Sequence, residues 1–237
     1  MSPLSVPDAI RRRRSVRRFR PDPIPPALLR ELLELAVAAP SSWNLQPGRI
    51  VVVTDEERRA ALQRACYSQR QVGEAPVTLV FAVSNGGWRQ EIEPMVAQAE
   101  ARGAWLAEYA ANVRVRAPQQ QENLERRGEM REFNIRDTMI AATQAMLAAE
   151  SLGLATCMMS GWQEELVKEV IGAADDEDIG IAVLLEVGYA AETPVDPGRC
   201  ALSRNVFLDR LGEPYPAGRS SDDDGAGASP LRPEPAG

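Results

Sequence analysis

The stretch RRRRSVRRFR, Arg11 to Arg20, concentrates guanidinium groups in a chain whose formal net charge is -7. Ser15, Val16 and Phe19 interrupt the run, and the two apolar residues point to a segment packed against something. Guanidinium groups make bidentate, charge-assisted bonds to phosphate oxygens, and a neighbouring hydroxyl completes such a cradle. The cluster therefore suits one compact phosphate dianion held at a fixed place. A solvated basic turn, an address label or a nucleic-acid patch is the alternative for an isolated arginine run. A second stretch, APSSWNLQPG, sets Ser41, Ser42 and Asn44 close together. Short hydrogen-bonding groups on such a loop can read the polar edge of a heterocycle, although serine and asparagine are common in any loop.

Several other chemistries are excluded. The chain has no histidine, which removes the commonest general base, the Ser-His and Cys-His nucleophile systems and most zinc sites. Cys66, Cys157 and Cys200 lie far apart without C-x-x-C spacing, so there is neither a disulfide framework nor a metal signature. Difficult chemistry, if present, must reside on a bound group. With 27 Lys+Arg against 34 Asp+Glu, a general polyanion binder is disfavoured. No apolar run approaches the roughly 20 residues of a membrane span. No secretory h-region precedes the arginines, so a soluble cytoplasmic protein is expected.

The elements that must position these residues follow from periodicity. VPDAIRRRR reads as a short helix. Pro25 and Pro26 open a second, whose stripe of Leu28, Leu29, Leu32, Leu33, Leu35 and Ala36 marks it as a core helix ended before Pro40. RIVVVTD predicts a strand, DEERRAALQRAC a helix starting at Asp55, and APVTLVFAVS a strand covered on both faces. Between 85 and 131 the pattern weakens: a helix broken at Pro94 and Gly103 is expected, followed by a mobile connection over APQQQENLERRGE. From Ile135 an apolar helix runs to about Gly153, apolar nearly all round and so buried in a large core or against another subunit. A turn at SGW, an amphipathic helix in QEELVKEVIG and a third buried strand in IGIAVLLEVGYA follow. The chain is irregular after Pro194, and the low-complexity tail 217–237 reads as disordered. Helices in runs rather than in strict alternation with strands indicate an α+β fold.

Taken together, RRSVRRF, APSSWNLQP, QVGEAPVTLVF, the helix and turn of IRDTMIAATQAMLAAESLGLATCMMSGW, and SRNVFLDRLGEPY resemble the FMN-dependent nitroreductase family over roughly Ala9 to Tyr215, apart from the 85–131 region. The resemblance implies a central mixed, mostly antiparallel sheet flanked by helices in an intertwined homodimer. It implies one FMN-binding domain, 1–216, in which 85–131 is the variable substrate cover. By position, Arg13, Arg14, Ser15 and Arg17 would contact the FMN phosphate, ribityl chain or ring edge, leaving Arg11, Arg12, Arg18 and Arg20 as surface charge. Pro40, Ser41, Ser42 and Asn44 would approach the flavin of the partner. Gln71 would lie near the ribityl or pyrimidine end, and Ser160 and Gly161 would offer backbone donors near N5. Arg204, with Arg199 as its rival, would add a phosphate contact from the C-terminal arm. Trp88, Trp105 and Tyr109 are candidates for stacking on an aromatic substrate or, equally, for ordinary helix packing. Gly48 departs from the aromatic usual after Q-P, and Cys157 reads as a small buried core residue.

The activity so implied is ping-pong reduction of nitroaromatics or quinones by NADH or NADPH, with the hydride passing through flavin N5 and no metal or nucleic acid involved. The same fold also carries reductive dehalogenation, azoline oxidation, flavin destruction and non-enzymatic flavin binding, and flavin-binding motifs do not separate these.

Overall fold

A computed structural model describes residues 3–216; the tail expected to be disordered, 217–237, lies outside the described residues. The chain divides into two compact units, Met1–Val195 and Asp196–Gly237. In the first, five strands form the central sheet: β1 (Phe19–Arg20), β2 (Gly48–Val53), β3 (Val77–Ser84), β4 (Ala155–Met159) and β5 (Ile179–Ala190). β5 is the hub. It pairs antiparallel with β3 on one side and with β4, then β1, on the other, while β2 closes the far edge against β3. A single parallel bridge, Ser15 to Thr156, lays the arginine segment along the outer side of β4. The sheet is thus mixed and mostly antiparallel, flanked by helices, as an α+β fold requires.

Alternation along the strands explains the layers. Leu79, Phe81, Val183, Leu185 and Val187 face α2 (Pro26–Val37) and α7 (Met130–Ser151), where Leu32, Ala36, Ala142, Ala145 and Ala149 meet them. On the other face Val80, Ala82, Ile181 and Leu184 pack against Leu62, Val72 and Val167. Those residues come from α3 (Glu56–Ala65), α4 (Arg70–Glu74) and α8 (Glu164–Ile171). Helix starts follow the sequence signals: Pro26 stands in the first turn of α2, and the Asp55 side chain accepts the Arg58 N–H at 2.9 Å to cap α3. α1 (Val6–Arg12) precedes the sheet, its end followed directly by Arg13.

Two local expectations change. β4 was not foreseen, because ATCMM carries only one β-branched residue and no alternation to mark a strand. The 85–131 region is neither broken at Pro94 nor a mobile connection. α5 (Trp88–Ala101) runs through Pro94, and α6 (Ala107–Arg127) covers the supposed linker and runs through Pro118. The turn at Gly103, with φ +67°, is where the chain does break. α6 buries Ala110, Val113, Ala117, Gln121 and Leu124, a stripe at three- and four-residue spacing, whose first three residues pack with Ile92, Met95 and Val96 of α5. Small residues and one glutamine made that stripe too weak to stand out in the sequence.

In the second unit, α9 (Leu202–Asn205) is followed by a bridge between Phe207 and Pro214. Leu202, Leu208, Leu211 and Tyr215 are exposed there. No helix among the described residues is long and apolar enough to cross a membrane.

Candidate functional site

The arginine run separates into two populations. Arg11 pairs with Asp8, Arg18 with Glu74 and Arg20 with Asp22, so their charge is locally compensated on the surface. Arg14 spends its guanidinium on the carbonyls of Arg11 (2.7 Å) and Arg13 (2.9 Å) near the end of α1. Arg13 reaches only the Ser15 hydroxyl, at 3.5 Å. The Arg17 guanidinium meets no carboxylate among the described residues, while its backbone N–H is held by Glu192 at 2.6 Å. Arg13 and Arg17 lie close enough to β4 for their charge to oppose the upward shift of the Cys157 thiol. Burial first, then Glu186, pushes that thiol up to about 11. Cys157 is a buried core residue, not a reactive one.

At the other end of β4 the chain leaves the sheet through Ser160 and Gly161. The Gly161 carbonyl accepts from Gln69 Nε2 at 3.3 Å. Gln71 is buried and turned inward, donating to Gln69 Oε1 (3.1 Å) and to Met159 Sδ (3.0 Å). A Cβ on Gly161 would come to 3.4 Å of Gln69 Nε2, so the missing side chain keeps the backbone accessible beside the amide. Tyr67 and Ser68, with φ +56° and +58°, carry the chain past this point in a left-handed conformation costly for residues other than glycine. Gln69 and Tyr67 were not singled out in the sequence; nothing but their nearness to Gln71 could have flagged them. From Thr156 to Ser160 the strand spans about 13 Å. One end thus offers guanidinium groups outside any ion pair, with Glu150 in the neighbourhood of Arg13, and a hydroxyl, and the other offers amide and backbone polar groups.

The second cluster is elsewhere. Pro40, Ser41 and Asn44 line a cavity of about 770 Å³ with Gln46, Gly48 and apolar residues of α2, β2, α5 and α7. Ser41 Oγ accepts the Gln46 N–H at 2.8 Å, and Ser42 is fixed by Asp137 of α7 through its N–H (2.8 Å) and hydroxyl (3.2 Å). Trp43, Asn44 and Gln46 all have positive φ, +53°, +58° and +50°. A bulky aromatic in that region is strained, and the Trp43 indole N–H is tied to Gln120 at 2.6 Å. Asp137 and Gln120 are thus the positioning residues that the sequence did not reveal. Gly48 lies close against α7: a Cβ there would come to 3.1 Å of Thr138 Oγ1, so that side chain would have to give by a few tenths of an ångström.

These clusters occupy opposite edges of one sheet. The first lies outside β4 and the second leads into β2, three strand spacings away, roughly 14 Å across the sheet. Arg204 lies on α9 and Arg199 bonds the Gly198 carbonyl, both in the second unit. Of the three aromatic candidates, Trp88 and Trp105 pack into the α5–α6 cluster. Tyr109 meets Trp105 edge-on at 5.1 Å and is 46% exposed.

Residues 10–189 match the model of the Nitroreductase family. A protein of Thermus thermophilus named NADH dehydrogenase is 35% identical over 207 residues, covering 86% of this chain and 96% of its own. An oxygen-insensitive NADPH nitroreductase of Helicobacter acinonychis is 26% identical over 170 residues, 68% of this chain and 75% of its own. Among solved structures, a protein of Exiguobacterium sibiricum 255-15 described in complex with FMN superposes with a TM-score of 0.77 at 22% identity. It covers 88% of this chain and 99% of its own.

Proposed function

The chain belongs to the nitroreductase family and is an oxidoreductase, and we propose that it is an FMN-dependent NAD(P)H oxidoreductase that reduces nitroaromatics or quinones. The observation that carries this reading is the elongated cluster along β4. Arg13 and Arg17, whose guanidiniums are in no ion pair among the described residues, stand at one end, and the Gln69–Gly161 amide and backbone group at the other. That donor set fits a phosphate joined to a polar ring. FMN in one solved relative of the same fold supports the choice of group. Bound there, FMN supplies the hydride chemistry between a reduced nicotinamide and an electron-poor acceptor.

The protein's part is binding and positioning. Arg13, Arg17 and the Ser15 hydroxyl hold the phosphate, with Arg14 ordering the end of α1 behind them. Gln69 and Gln71 hold the polar end, and the backbone at Ser160 and Gly161 lies against it. Pro40, Ser41, Ser42 and Asn44 complete the site from a second copy, because within one chain they stand at the far edge of the sheet. A homodimer follows from that division. The apolar face of α7, with Met139, Ile140 and Leu147 lining an open cavity, is the surface on which copies would meet. Of the aromatic candidates, Tyr109 alone keeps an exposed face for an acceptor.

Purified protein should carry flavin absorbance and oxidise NADH or NADPH with a nitroaromatic or a quinone. Parallel double-reciprocal plots are expected for a two-stage exchange at one site. Protein that holds no flavin and fails to bind added FMN ends this reading.

A further inference from the structure

A second groove, about 840 Å³, lies between α6 and the start of α7 and is separate from the cavity at Gly48. One side is a polar stripe on α6, made by Asn112, Arg116, Gln119, Gln120, Asn123 and Arg127. Steps of three and four residues place these side chains on one helix face. Phe133 and Arg136 of α7 form the opposite side, and the Arg136 guanidinium stands 5.6 Å from the Phe133 ring centre. Trp43 closes one end, its indole bound to Gln120.

An ordinary solvated helix face pairs its charges, and the other arginines of α6 do so. Arg114 bonds Glu93 and Glu100, and Arg127 meets Glu129 at 2.7 Å. Arg126 donates to Asn123. Arg116 has no partner among the described residues, and Arg136 has only Glu132 at 3.7 Å, both of them exposed. With Arg127 paired to Glu129 and Arg136 to Glu132, the groove keeps one guanidinium in excess, that of Arg116. Its walls are aromatic at two points and carboxamide at four.

We propose that this groove binds a nucleoside phosphate. The unpaired Arg116 guanidinium takes a phosphate oxygen, and Arg127 can turn from the exposed Glu129 to a second one. Asn and Gln carboxamides present the adjacent donor and acceptor that match a purine edge, and Trp43 and Phe133 offer ring faces for stacking. Recognition here requires no flavin. The adenosine-phosphate half of the reductant and a free nucleotide present the same chemistry to this groove.

ADP titrated into the protein in the presence of FMN, followed by calorimetry, is the test. Saturable binding with a Kd below about 1 mM is expected. Arg116→Ala and Arg127→Ala should each weaken it about tenfold, while Arg102→Ala leaves it unchanged. Flavin content, read separately by absorbance, should be unaffected in Arg116→Ala, so that failure here and failure of the flavin reading are distinguishable. Displacement of ADP by NADPH assigns the groove to the reductant, and lack of displacement assigns it to a free nucleotide. No saturable binding, equal binding by Arg116→Ala, or loss in Arg17→Ala instead would overturn the proposal.

Discussion

At the scale of single residues, charge compensation decides what each arginine can do. Arg12 and Arg17 are both exposed, but only Arg17 is held beside β4 by a backbone bond to Glu192. Arg17→Ala is therefore expected to weaken FMN binding at least about tenfold, the loss of one charge-assisted phosphate bond, while Arg12→Ala changes it little. Fluorescence titration of FMN checks this, and equal losses would remove the partition. Glu186 presents a different problem. It sits at the centre of β5, opposite Thr78 on one side and Cys157 on the other, and is fully buried. Neither carboxyl oxygen, nor Thr78 Oγ1, has a hydrogen-bond partner among the described residues. Burial pushes the carboxyl from an ordinary 4.5 up to about 8. The folded protein thus keeps a proton that the unfolded chain has already lost. Stability is greatest below about pH 4.5 as far as this group is concerned, and falls as pH rises towards 8. The shift corresponds to roughly 5 kcal/mol at most. Denaturant unfolding at pH 6 and pH 9 should show that decline, and Glu186→Gln should flatten it.

At the scale of elements, the loop that precedes β2 is a strained piece held by its neighbours. Three left-handed residues in four positions persist because Asp137 binds Ser42 and Gln120 binds the Trp43 indole. Asp137→Ala should cost about 1–3 kcal/mol, because it leaves the Ser42 N–H and hydroxyl without their acceptor. Differential scanning calorimetry would record it as a lowered Tm. Gly48 tests the same region from the other side. Gly48→Tyr forces a Cβ into Thr138 and should destabilise the protein, and Thr138→Ala in the same chain should recover part of the loss. The helical pair α5–α6 carries a parallel lesson. Pro94 and Pro118 each remove a backbone donor, yet both helices continue, because burial of the stripe from Ala110 to Leu124 outweighs the missing bonds.

At the scale of the whole molecule, the proposed dimer makes each chain half of two sites, because the two clusters stand at opposite edges of the sheet. Ile140→Glu, on the exposed side of α7, should yield monomers that keep their fold but lose FMN. Light scattering with flavin absorbance and circular dichroism reads all three, and a monomer that retains FMN would sink the shared site. Much of this was legible beforehand. Spaced leucines, capping residues and β-branched runs specify α2, α3, β2, β3 and β5 locally, and the paired arginine and Ser-Asn motifs carried the family. β4 was not legible, because a short strand beside the sheet's hub is made by pairing to β5 and not by its own residues. The α6 stripe was hidden by its alanines. The pairing of Arg18 depends on Glu74, 56 residues away in sequence, and the placing of the Arg17 backbone on Glu192, 175 away. Residue chemistry and local periodicity belong to the sequence. Which groups face each other, and which are left without a partner, was decided only when the strands paired, because those distances exist in the tertiary structure alone.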